Sequence, residues 1–132
     1  MATFAWRQYD VRALQRYDPH RLVNLDLFHE EEFRGHLLCL GPGQEIPVHV
    51  HDHEHEVFDV IEGTGLILVG DVELRAAPGK SVFVPAGVPH GFRNDSDGGW
   101  LVRATVHERL YARAILKLLR RAVLKRLGLA PR

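Results

Sequence analysis

The chain has 132 residues, a length that suits one domain, and its 45% hydrophobic and 26% charged residues are those of an ordinary globular protein. Its single cysteine, Cys39, excludes an internal disulfide, and no apolar run approaches the roughly 20 residues that span a bilayer. With no apolar leader at the N-terminus either, the expected location is a reducing one, the cytoplasm. Seventeen Lys/Arg balance seventeen Asp/Glu, but unevenly: residues 1–108 hold every acid against nine bases, and residues 109–132 hold eight bases and no acid.

Taken in order, the body reads as β. "RLVNLDLF" (21–28) sets Val23, Leu25 and Leu27 against Asn24 and Asp26, the period of a half-buried strand, and "FRGHLLCL" (33–40) resumes it after a polar turn. Beyond the "GPG" breaker at 41–43, apolar runs follow at "VFDVI" (57–61), "GLILVGDVEL" (65–74), "SVFVP" (81–85) and "WLVRATV" (100–106). Short strands between Gly, Pro, Asn and Asp turns point to a sandwich or barrel. From Glu108 to Leu127 there is neither Gly nor Pro. Tyr111, Ile115, Leu118, Leu119, Ala122 and Val123 share one side of a helix, with Arg113, Lys117, Arg120 and Arg121 opposite; Gly128 and Pro131 are stop signals. The expected division is a barrel domain over residues 1–107 and a basic amphipathic helix and tail over residues 108–132.

The chemistry concentrates in "HVHDHEHEVF" (49–58). Residues two apart in a strand face the same way, so His49 and His51 aim their imidazoles at one place. A turn at 52–55 would return the chain as an adjacent strand, bringing Glu56 alongside with Phe58 and Val60 as an apolar wall. Downstream, "GKSVFVPAGVPHGFRN" (79–94) presents His90 from a Pro/Gly-rich turn, with Asn94 beyond it. Three imidazoles and a carboxylate suit one divalent first-row ion, without distinguishing Mn, Fe, Co, Ni, Cu or Zn.

The first stretch reads G-x5-H-x-H-x4-E-x6-G, filled by Gly43, His49, His51, Glu56 and Gly63. The second reads G-x5-P-x-G-x2-H-x3-N, filled by Gly79, Pro85, Gly87, His90 and Asn94. Together they resemble the two signature motifs of the cupins, over residues from about 36 to 106, with Lys80 standing where many members place an acid. The resemblance implies an all-β double-stranded β-helix (a jelly-roll barrel), with a metal held inside by His49, His51, Glu56 and His90 and the C-terminal helix outside it.

Beside the metal stands the plainer reading, a jelly roll that kept these polar residues and binds nothing. His53 and His55 read first as a solvated loop, with supporting or rim roles as the alternative. Cys39 reads as a buried strand residue, Asn94 as a turn-holding amide, and Arg93 as outward-facing. The tail reads first as a helix packing its apolar side on the barrel or a partner subunit, with contact to an anionic membrane surface second; a nucleic-acid partner is not expected. The resemblance implies two functions: a metal-dependent enzyme, oxygenase-like, on a small oxygenated molecule that chelates the metal, or a non-catalytic ligand-binding or sensing module. No catalytic residue stands out; His53, His55 and Glu56 are the groups able to take a proton. A homodimer is implied too, with "RLVNLDLF" as its candidate edge.

Overall fold

The computed structural model describes residues 5–129, without the side chains of residues 110–113. Nine strands form two antiparallel sheets. One, in the order β1-β2-β9-β4-β7, contains β1 (Val23–Glu30), β2 (Phe33–Leu40), β4 (Glu54–Glu62), β7 (Ser81–Val84) and β9 (Trp100–Glu108). The other, in the order β3-β8-β5-β6, contains β3 (Glu45–His49), β5 (Gly65–Val69), β6 (Val72–Ala76) and β8 (His90–Arg93). This is the jelly roll that the turn-bounded strands and the two motifs imply.

Period-two alternation builds the interior. Glu56, Phe58 and Val60 on β4, and Trp100, Val102, Ala104 and Val106 on β9, are buried between the sheets. Ile67, Val84 and Phe92 join them, Phe92 edge-on to Phe58 at a centroid distance of 4.7 Å. A smaller cluster of Leu27, Leu37, Cys39 and Leu101 lies on the outer face of the large sheet beneath Tyr9 and Val11, and the Tyr9 hydroxyl donates to the Leu27 carbonyl. A short helix α1 (Val11–Leu14), capped by the Asp10 side chain, holds this N-terminal cover in place. Cys39 is buried there, as its strand position implies.

The "GD" inside "GLILVGDVEL" is a turn: the chain reverses at Gly70–Asp71 and β6 pairs back on β5. Three local readings change. His51 lies just past the end of β3. His55 is inside β4, not in a loop, because the strand begins at Glu54. The largest change concerns β3 and β4, expected as adjacent strands of a hairpin. They belong to opposite sheets, so residues 50–53 cross the mouth of the barrel and Glu56 faces the histidines across the interior. Side-chain period gives the buried face of a strand but not the sheet that receives it.

Gly63 ends β4 at φ +77°, and a Cβ there would sit 2.2 Å from the Gly99 carbonyl oxygen. Gly63→Ala would meet both left-handed strain and a backbone clash. Chemical denaturation should show it less stable than wild type by more than about 1 kcal/mol; an unchanged midpoint would contradict this packing.

After β9 the chain enters α2 (Leu110–Arg126), which stops at Gly128 with Leu129 N–H bonded to the Leu124 carbonyl. Pro131, and the side chains of Tyr111 and Arg113, lie outside what is described. The expectation that α2 packs its apolar side on its own barrel is not met: Ile115, Leu118, Leu119 and Val123 are 38–63% exposed. Among the described residues no helix is long and apolar enough to cross a membrane.

Candidate metal centre

Backbone pairing sets up the centre. His49 at the end of β3 lies directly opposite His90 at the start of β8. Gly91 permits this close approach, since a Cβ there would come within 2.8 Å of the Ile46 carbonyl oxygen. The two rings lie 4.4 Å apart between centroids, and the His51 ring stands 4.7 Å from His49 and 5.5 Å from His90. One ring nitrogen from each of the three lies within 4.8 Å of the others.

Glu56 comes from the opposite sheet. Its Oε1 is 3.1 Å from His51 Nε2 and its Oε2 is 3.5 Å from His90 Nε2. Donors about 2.1 Å from one ion, at right angles to each other, stand about 3 Å apart. The two Glu56 contacts are near that spacing, and small side-chain movements would bring His49 to it.

The imidazole tautomers are set by what lies behind each ring. A carbonyl oxygen only accepts, so His49 donates its Nδ1–H to Pro47 (2.8 Å) and His90 donates its Nδ1–H to Val88 (2.9 Å). His51 Nδ1 lies 3.2 Å from Glu54 Oε2, whose other oxygen accepts from Arg34 Nη2 at 2.8 Å. His49 and His90 thus keep Nε2 with its lone pair toward the interior, as metal-ligating histidines require, while His51 stands between Glu54 Oε2 and Glu56 Oε1. His90 is 2% exposed and its Nε2 makes no hydrogen bond. A buried polar atom without a partner is costly, and a metal ion would satisfy it. The residues fit a divalent ion.

Electrostatics agree. Burial would raise the Glu56 carboxyl, but the His90 imidazole 3.5 Å away, with the charges of His51 and His49, outweighs it and holds the group below its ordinary value. Burial would lower His90, but Glu56 and the Val88 carbonyl outweigh that and raise it. In the metal-free chain the Glu56–His90 attraction is therefore strongest between those two values. It weakens as pH falls through the lowered carboxyl value and as pH rises through the raised imidazole value.

The structure thus brings His49, His51, Glu56 and His90 together and places the neighbouring histidines elsewhere. His55 points to the outer face of β4, where Nδ1 accepts from the Ala86 N–H (2.9 Å) and the ring stacks on His107. His53 is held in the crossing segment, its carbonyl accepting from Arg109 N–H. Asn94 is fully buried, donating to the Leu40 and Gly98 carbonyls, each at 2.9 Å, and accepting from the Ser96 N–H. Arg93 is exposed and paired with Glu45. The reading of the residues passed over Glu54 and Arg34. The signal for Glu54 was its parity with Glu56, two positions on in the same strand.

A jelly roll whose interior holds three histidines and a glutamate from two facing sheets defines a class of small barrels built around a metal-type centre. The family model described as "Cupin domain" matches residues 36–102, and the chain belongs to the cupin family. It is similar to the TT1209 protein of Thermus thermophilus, at 36% identity and a TM-score of 0.74 over 76% of this chain and 96% of that one. An RmlC-like cupin from Desulfovibrio desulfuricans is 28% identical, with a TM-score of 0.70 over 78% and 97% of the two chains. A protein from Thermotoga maritima described as a predicted oxalate decarboxylase is 20% identical over 66% and 80%, with a TM-score of 0.63, a likeness of fold alone. No curated protein matches the chain.

Proposed function

We propose that this cupin binds one divalent transition-metal ion through His49, His51, Glu56 and His90. In this reading it acts as a metal-dependent enzyme of oxygenase-like type on a small oxygenated molecule. The observation that carries the reading is the set of three imidazoles, two of them with Nδ1 held by a backbone carbonyl, that share the interior with Glu56. Such an ion would supply Lewis acidity, and with a redox-active metal a means of engaging dioxygen. The chain's own residues would fix the donor geometry and the tautomers, and Phe58 and Phe92 would keep one side of the cavity dry. Access favours a ligand that exchanges with solvent, because the His51 side chain is 36% exposed. His55 is not the base, since it faces away from the cavity; Glu56 is the carboxylate within reach.

Metal analysis of protein purified without an affinity tag tests this reading, with about one ion per chain expected. Zinc at full occupancy would count against oxygenation. Because imidazole must lose its proton to bind metal, the metal content should fall as pH drops through and below about 6.5. Metal retained at pH 4.5 would contradict the imidazole ligands.

The second reading, a ligand-binding or sensing module, draws support from α2, whose apolar side is left without cover. We extend both readings to a cytoplasmic homodimer of a barrel domain (residues 1–107) carrying a tail (residues 108–132). β1 is an edge strand, and the acidic residues 1–108 complement residues 109–132, which carry eight bases and no acid. This pairing is expected to win over contact with a membrane surface. Sedimentation should give a dimer that Leu118→Glu with Leu119→Glu converts to monomer, whereas a wild-type monomer at high concentration would dismiss it.

A further inference from the structure

A cavity of about 230 Å³, room for roughly seven waters, opens beside the metal centre. His49, His51 and Glu56 line it together with Arg34, His36 and Phe58. Arg34 is the only Lys or Arg among the lining residues. Strand register places it there: Arg34 pairs with Val106, which pairs with Glu56, so Arg34 and Glu56 occupy one inward-facing row two strands apart. The Arg34 side chain is 29% exposed, with Nη2 committed to Glu54 and Nε buried without a hydrogen-bond partner.

The charges around this cavity do not cancel once a divalent ion is present. A divalent ion and Arg34 would carry three positive charges against the two of Glu56 and Glu54, and desolvation and Arg34 shift the half-buried His36 toward its neutral form. Asp26, near His36, is 94% exposed and screened by water. A planar guanidinium with an unsatisfied buried N–H is matched by a carboxylate. We propose that the ligand of this cavity is a small monocarboxylate with an apolar body, its carboxylate recognised by Arg34 and its other oxygen directed to the metal centre. This rests on the metal-binding reading above. Glu54 holds Arg34 until a ligand carboxylate competes for it.

The test uses the manganese-loaded full chain and two isosteric probes, 2-hydroxyisobutyrate and its neutral amide, titrated calorimetrically with metal content measured on the same samples. The acid should bind at least tenfold tighter than the amide in wild type, since a charge-assisted bond is lost with the amide. Arg34→Gln should cut that ratio about tenfold or more at unchanged metal content. Glu54→Gln, which releases Arg34, should raise it. Metal retained with an unchanged acid-to-amide ratio in R34Q would overturn the proposal and leave Arg34 as a support for Glu54 alone. Should R34Q fail to hold metal, the comparison falls to Arg34→Lys and Glu54→Gln. In R34K, where the charge remains and the planar fork is lost, the acid should still bind tighter than the amide; equal binding there, or a ratio that E54Q leaves unmoved, would overturn the proposal. A wild-type chain that takes up no metal would instead sink the reading on which this one rests.

Discussion

The His90→Ala variant should fold and should hold metal at least about a hundredfold more weakly than wild type. Losing a group that merely supports a ligand costs 10–100-fold in affinity, so losing a ligand sets a higher floor. His90 contributes a buried Nε2 with no hydrogen bond of its own and a ring locked through Nδ1 to Val88. Truncation also removes the hydrogen bond to Val88, the attraction to Glu56 and the packing of a buried ring against Phe58, while the centre loses the donor that lies across from His49. His55→Ala is the control: it removes a histidine of the 49–58 stretch that faces the outer side of its sheet, and metal content should not change. Metal analysis of the two variants beside wild type decides the matter. Equal metal in wild type and His90→Ala would mean that the 49–56 segment binds by itself.

The second large effect separates fold from site. Trp100 is fully buried at the start of β9, its ring 5.9 Å from Phe92 and pressed onto Gly65, where a Cβ would come within 2.4 Å. Trp100→Ala should cost about 3–5 kcal/mol through lost burial and the remaining cavity. That is a large share of the 5–15 kcal/mol that holds a typical domain, and it corresponds to a fall in Tm of roughly 10–20 °C. Trp100→Phe should cost much less, because Nε1 makes no hydrogen bond that the change would break. Metal bound per folded molecule should be unaltered in both, since Trp100 touches none of the four centre residues. A Trp100→Ala chain as stable as wild type would show that the interior is not packed around this ring.

What was legible in the sequence follows from what period and spacing encode. β4 could be read because Glu56, Phe58 and Val60 share one parity, so an inward acid carries Phe58 and Val60 inward with it. Spacing within two motifs also sufficed to name His49, His51, Glu56 and His90, which the fold gathers into one place. What escaped was long-range pairing. Nothing in a chain's local pattern says that His49 will face His90 across β3 and β8, or that Glu56 will arrive from the other sheet. β2 hid Arg34 for a different reason. Leu37, Leu38, Cys39 and Leu40 are all buried, because that strand is covered on both faces, and a run without alternation gives no parity from which to place Arg34. The tail was legible as a helix and not as to its contacts, since amphipathicity states that an apolar side exists and leaves its partner open.

The account rests on a single ion shared by side chains from two facing sheets. Crystals of untagged protein, measured on either side of the absorption edge of the metal found by analysis, test that most directly. One anomalous peak is predicted about 2.0–2.2 Å from Nε2 of His49, His51 and His90 and from a carboxylate oxygen of Glu56. A peak bound instead by His53, His55 or Nδ1 of any of the three, or no peak between the sheets in metal-replete protein, would contradict it.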